Sequence, residues 1–197
     1  MIMSRTIIAA AIVSIAGCGG GGDDGRPDTS PLQKYVGAHG YCDGHERVMM
    51  TITQPSGNVL SMSQRTDYYS VAGCTGAILA SEVMSDPANA VYISTGTTTV
   101  TGIRSDGVID YYGISSHEVD RIRVSSAPST KFLRAGPGLE MIGGRQCIVY
   151  SDGGKTCFSS DAPPGGSTDA GLAIAGPALL LLNATAQGYA LDASYSR

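Results

Sequence analysis

The sequence contains no tryptophan, two phenylalanines and three lysines, and charged residues make up 15% of its 197 positions. About a quarter is usual for a soluble domain, and helical cytosolic proteins carry surfaces rich in Glu and Lys, so helix bundles and coiled coils are excluded as the main architecture. The ten arginines are scattered, and the net charge is −4 with a pI near 5.2. A phosphate backbone would find no basic patch, and nucleic acid is not an expected partner. Apolar runs fall short of the roughly 20 residues that a spanning helix needs. Catalytic signatures are also missing: there is no Gly-x-Ser-x-Gly elbow, and Gly154-Lys155-Thr156 ends like a phosphate-binding loop but has Val149 where glycine is required.

What is present begins with an address. Met1 to Arg5 carries one positive charge, and Thr6 to Ala16 is an almost unbroken apolar run with the length of a secretory signal core. It ends in Ile15-Ala16-Gly17-Cys18, which resembles the bacterial lipobox. The resemblance implies cleavage before Cys18 and lipidation of its thiol, which would attach the chain to a membrane without spanning it. Gly19 directly after the cysteine, rather than Asp, implies export to the outer membrane of a bacterial envelope. Gly19 to Pro31 is rich in Gly, Asp and Pro and cannot bury apolar surface, so it reads as a flexible tether. The expected organisation is a signal peptide over 1–17, a lipidated tether over 18–34 and one domain over 35–197.

Four further cysteines in an exported chain read as two disulfides. A three-residue hairpin loop Ser151-Asp152-Gly153, with glycine in the left-handed position, places Cys147 directly opposite Cys157. Cys42 with Cys74 then follows by elimination. His39, Cys42, Asp43, His45 and Glu46 crowd one stretch and offer zinc-type ligands, but no second Cys/His pair lies nearby, and neither metal nor cofactor is expected.

From Tyr35 onward, short stretches rich in β-branched residues and Tyr alternate with turn signals such as Pro55-Ser56-Gly57-Asn58, Ser85-Asp86-Pro87 and Arg104-Ser105-Asp106-Gly107. This predicts an all-β domain of eight to ten strands with little helix, either a single antiparallel up-and-down barrel or a sandwich. The four leucines Leu179 to Leu182 predict a strand buried on both faces. The segment Tyr35-Val36-Gly37-Ala38-His39-Gly40-Tyr41-Cys42, the stretch Gly73-Cys74-Thr75-Gly76 and the ending Gly188-Tyr189-Ala190-Leu191-Asp192 together resemble a family of uncharacterised proteobacterial lipoproteins. That family opens with Tyr-x-Gly-x-Trp, similar to the motif that opens lipocalin-like barrels, and here His39 stands at the Trp position and Ala190 where the family has Pro.

The resemblance implies a lipocalin-like barrel and no particular reaction, and the chain is not expected to be an enzyme. Asp110, Glu118, Asp120 and Glu140 read as solvated carboxylates, and Ser115-Ser116-His117 as residues that strand geometry splays apart. Two functions are expected. The first is carriage of a small apolar or amphipathic ligand inside the barrel, lined by Leu60, Met62 and Tyr68 at alternate positions. The second is a non-enzymatic interaction or structural role in the envelope, with a protein or glycan partner recognised by tyrosines. Ten tyrosines support it, and in pairs such as Tyr68/Tyr69 and Tyr111/Tyr112 strand alternation should leave one ring outside.

Overall fold

A computed structural model describes residues 30–158 and 165–196; the expected signal peptide, Cys18 and most of the tether lie outside these residues. After a single 3₁₀ turn, Gln33–Tyr35, the described chain is all β: β1 (Gly37–Asp43), β2 (Glu46–Ser56), β3 (Val59–Val71), β4 (Thr75–Met84), β5 (Ala88–Ile103), β6 (Ile109–Ser126), β7 (Phe132–Ala135), β8 (Leu139–Ile142), β9 (Arg145–Val149), β10 (Lys155–Cys157), β11 (Gly166–Ala175), β12 (Ala178–Thr185) and β13 (Gly188–Ser196). Eight of these, β1, β2, β3, β5, β6, β11, β12 and β13, pair antiparallel in that order, and β13 returns to β1 through Gly40 opposite Ser196. The result is a closed up-and-down barrel. Closure removes the sheet edges that would otherwise invite pairing with another chain.

Alternation along each strand builds the interior. Val48, Met50 and Ile52 of β2 face Leu60 and Met62 of β3, Ala88 and Ala90 of β5, Ile122 of β6, Ala170 and Leu172 of β11, Leu179 of β12 and Tyr195 of β13 in one buried cluster. Both ends of this cluster are stoppered. At the β2–β3 turn, Leu32 and Tyr35 are fully buried, and the Ser30 hydroxyl bonds the carbonyl of Gly57 and accepts the Gln54 side chain at 2.6 Å. The last residues of the expected tether, 30–34, are thus part of the folded unit, because an apolar residue at 32 has a barrel end to fill. At the opposite end, Tyr68 packs with Ala80, Ile148 and Tyr150, contributed by β4 and by a small three-stranded sheet, β10-β9-β8.

That small sheet carries the first disulfide. Cys147 lies opposite Cys157, Ile148 opposite Thr156 and Val149 opposite Lys155, and the Tyr150 amide donates to the Gly154 carbonyl. Gly153 has φ of 87°, the left-handed value that the three-residue loop requires. Cys42 pairs with Cys74 across a sequence separation of 32, joining β1 to the β3–β4 turn.

β5 and β6 are 16 and 18 residues long, about three times the ordinary strand. Only Asn89 to Val91 and its neighbours pair with β3, and only Asp120 to Ser126 pair with β11. Beyond a register shift between Tyr92 and Ser94, the two strands continue as an arm. The arm lies over β11, β12 and β13, where its Val100, Ile103 and Val119 form a second buried cluster with Ala173, Leu180, Leu182 and Tyr189. Leu179 therefore serves the barrel and Leu180 the arm, which is the two-faced burial that the leucine run predicts. Thirteen strands, against the eight to ten expected, arise because β11 is rich in Gly, Ala and Ser and carries little strand signal, and because β1 and β10 are short or polar.

Gly171 permits the arm to seat. A Cβ there would meet Val119 Cγ1 at 2.6 Å and the Tyr189 ring at 2.9 Å. Gly171→Ala is expected to destabilise the fold by about 1–3 kcal/mol through overpacking, whereas Gly96→Ala, at a position with nothing within 4 Å, should be neutral or gain a few tenths of a kcal/mol. Urea titration of both variants measures the difference. Removing both Cys42 and Cys74 should cost about 3 to 4 kcal/mol by the chain-entropy argument, read in the same titration.

Candidate functional site

The residues expected to line a ligand cavity divide between two places. Leu60 and Met62, 0% and 6% exposed, belong to the packed barrel interior, while Tyr68 sits in the cluster at the far end, its ring edge-on to Phe158 at 5.4 Å. They do not line one cavity, because the first two fill the barrel and the third helps to close it. One polar group inside is left over. His39 is buried, its Nε2 lies 2.9 Å from the Tyr35 carbonyl, and its Nδ1 has no partner.

Asp120, read from sequence as solvated, is fully buried. Its Oδ2 accepts the Tyr35 hydroxyl at 2.6 Å and the Lys34 ammonium at 2.8 Å, and its Oδ1 accepts the Thr95 hydroxyl. Thr95 in turn lies 2.8 Å from the Tyr92 hydroxyl. Burial, followed by the hydrogen bond to Asp120, drives the Tyr35 phenol far above the ordinary tyrosine range, so this hydroxyl is a fixed donor rather than a nucleophile. The network binds the 3₁₀ turn to the root of the arm. Sequence offered no signal for it, since Lys34 and Tyr35, Thr95 and Asp120 come from three separate stretches of the chain.

The stretch with zinc-type ligands is not gathered around a point. Cys42 is bonded to Cys74, His39 is inside the barrel, and His45 turns to the hairpin loop, its ring stacked on Tyr150 at 3.9 Å and 11°. His45 Nδ1 lies 3.0 Å from the Tyr69 carbonyl and Nε2 lies 3.2 Å from Asp152 Oδ2. Both ring nitrogens thus face oxygen atoms of the neighbouring strands and loop. The Gly154 amide and then His45 hold the Asp152 carboxyl below its usual range. Tyr150 continues the chain of bonds through Thr156 to Glu46, whose carboxyl is pushed up by burial. This clip fastens the β9–β10 hairpin to the β1–β2 turn.

On the arm, Ser115 and His117 are joined rather than splayed: residues two apart share a strand face, and Ser115 Oγ lies 2.7 Å from His117 Nε2. The hydroxyl also donates to the Ile103 carbonyl at 2.7 Å. Its proton is thereby committed to a backbone oxygen, which leaves the imidazole as donor instead of base. Tyr111 and Tyr112 depart from alternation. Thr101 pairs with Ile114 and Ile103 with Ile109, so three extra residues on β6 form a bulge, and the Tyr112 amide bonds the Asp110 side chain at 2.9 Å. Bulges re-aim side chains, and here both rings point outward, 81% and 94% exposed, beside exposed Val108, Ile109 and Ile114.

Comparisons with known protein families, with curated proteins and with solved structures find no match. The site must be read from its own chemistry. Among the described residues no group of three or more His, Cys, Asp and Glu is placed to hold a metal ion.

Replacing Asp120 by Ala removes the buried carboxylate that the Tyr35 and Thr95 hydroxyls and the Lys34 ammonium share, and is expected to cost about 3 kcal/mol in denaturant titration. Burial also raises the Tyr68 and Tyr195 phenols. Tyrosines with raised folded values ionise first in the unfolded chain, so stability should fall as pH rises above about 10, the ordinary value. Thermal melts between pH 8 and 12, followed with tyrosinate absorbance, check this. Asp152 acts in the opposite sense: its contribution is present above the ordinary carboxylate range and is lost as pH falls through the lowered value.

Proposed function

We propose that this chain is a lipoprotein of the bacterial envelope, anchored through Cys18 and directed to the outer membrane, whose β domain binds a protein or glycan partner without catalysing a reaction. The observation that carries the reading is the arm: two adjacent tyrosines, both nearly fully exposed, stand on a bulge among Val108, Ile109 and Ile114. Tyrosine combines an apolar body with a hydrogen-bonding tip and is enriched where surfaces meet. An exposed apolar cluster on an otherwise polar strand pair marks a contact surface. The lipobox-like Ile15-Ala16-Gly17-Cys18 and the glycine-rich segment after it support the anchor, and Gly19 supports the outer membrane as destination. The earlier resemblance to proteobacterial lipoproteins is consistent with this placement.

A second reading, carriage of a small apolar or amphipathic molecule, draws on the closed eight-stranded ring and on the partnerless Nδ1 of His39 inside it. The packing of Leu60 and Met62 weighs against it. Native mass spectrometry of the full chain separates the two: a bare mass is expected, and a discrete bound mass that survives purification would favour the carrier.

Two variants test the proposal in cells. Tyr111→Ser with Tyr112→Ser should abolish crosslinking to an envelope partner while changing stability by less than about 0.5 kcal/mol, as for other exposed sites. Unchanged crosslinks would assign the contact elsewhere. Cys18→Ser should move the chain from the membrane pellet to the soluble fraction, and retention in the pellet would remove the anchor from the proposal.

A further inference from the structure

A trough lined largely by serine and threonine crosses the outer face of the arm's root. One depression of about 460 Å³ lies between the arm and the β12–β13 turn, lined by Ser94, Thr97, Thr98, Arg121, Thr185 and Tyr189 among others. A second, of about 470 Å³, is lined by Arg123, Ser167, Thr168 and Asp169, and the two meet at Ala184. Arg121 sits opposite Ser94 in β5 and opposite Gly171 in β11. Because Gly171 lacks a side chain, the Tyr189 ring occupies the space there and forms a fixed, nearly buried floor.

The two arginines differ. Arg123 is bonded to Asp169 at 2.8 Å. Arg121 is exposed, and among the described residues no carboxylate lies within ion-pair distance of it, although its charge helps to lower the Asp169 carboxyl. The trough thus offers one unpaired guanidinium in a setting of threonine and serine hydroxyls, each of which donates and accepts.

We propose that this trough binds an acidic saccharide, with a sugar carboxylate on Arg121 and ring hydroxyls on the threonine and serine lining. The guanidinium fork matches a carboxylate with two parallel bonds, and a lining of hydroxyls matches a polyol. A lipid tail or an apolar peptide would need apolar pockets, and among the described residues of the lining the buried Tyr189 ring is the only large apolar group. A polynucleotide would need several cations, and Arg121 is the one that stands unpaired in the trough. The net charge of −4 opposes an acidic ligand at long range, but at physiological salt that repulsion is screened beyond about 8 Å, so the contact with Arg121 decides. This site goes beyond the tyrosine surface and shares no residue with it.

The test is a titration of the isotope-labelled full-length chain with trigalacturonate, with cellotriose and inorganic phosphate as comparison probes, followed by amide shifts. Saturable shifts at Thr98, Arg121 and Thr185 are expected with trigalacturonate alone. Arg121→Ala should weaken binding at least tenfold, Arg121→Lys should fall between that variant and the native chain because it keeps the charge but loses the two-pronged contact, and the Tyr111→Ser/Tyr112→Ser chain should bind normally. Raising salt should weaken binding. Three results would overturn the assignment: no saturable shifts, equal affinity for cellotriose or phosphate, or undiminished binding by a folded Arg121→Ala chain. The normal binding expected of the tyrosine double variant keeps this site distinguishable from the proposed arm contact.

Discussion

The hairpin of β11 and β12 is buried on both of its faces, and the rest of the molecule is arranged around that fact. Its one face supplies Leu172 and Leu179 to the barrel, and its other face supplies Ala173, Leu180 and Leu182 to the underside of the arm. Full burial of a leucine side chain contributes roughly 1.5 to 3 kcal/mol, and a solvated outer face would forgo half of this set. The long β5–β6 strand pair is the cover that prevents it. Arm and barrel are consequently one packed unit, joined by the parallel bridge of Tyr189 and Ala190 to Val100 and Thr101.

The two barrel ends are closed by different means. Apolar plugging by Leu32 and Tyr35 at one end is locked by the buried Asp120 network, in which two hydroxyls and one ammonium satisfy a carboxylate that would otherwise be costly to enclose. At the other end, the disulfide hairpin brings Ile148 and Tyr150 onto Tyr68, and the stacked His45 ring together with Asp152 holds it there. Arg134, bonded to Glu82 and lying 4.2 Å from the Phe158 ring, continues this polar rim. Side chains fill both ends, and the surfaces proposed for recognition lie on the outer surface around the arm. The tyrosine bulge and the Arg121 trough occupy different parts of it, one apolar with wet tips and the other rich in hydroxyls.

Where sequence reading missed, the physical reason is specific. Asp120 looks solvated in the sequence because nothing in its neighbourhood along the chain reveals Tyr35, Lys34 and Thr95. Ser115 and His117 meet because residues two apart share a strand face, whereas Ser116, the serine adjacent to His117, points the other way. The rule of one ring inside failed at Tyr111 and Tyr112 because a bulge, invisible in a pattern of residue types, breaks the alternation. β11 escaped because Gly, Ala and Ser have weak strand preference, and its place is decided by the leucines of β12 and the strand β6 beside it.

Several properties were nonetheless determined by sequence alone, and each rests on local geometry. The low charge and the turn spacing specified an all-β domain. The loop Ser151-Asp152-Gly153 specified that Cys147 faces Cys157, because a three-residue turn leaves one register. Four consecutive leucines specified burial on both faces. Only the tertiary structure decided that the barrel closes between β1 and β13, that Leu60 and Met62 fill it while Tyr68 caps it, and that two strands overrun the barrel to form an arm. Those outcomes depend on contacts between segments tens of residues apart, and residue order along a strand carries the period of the side chains but not the identity of the surface they meet.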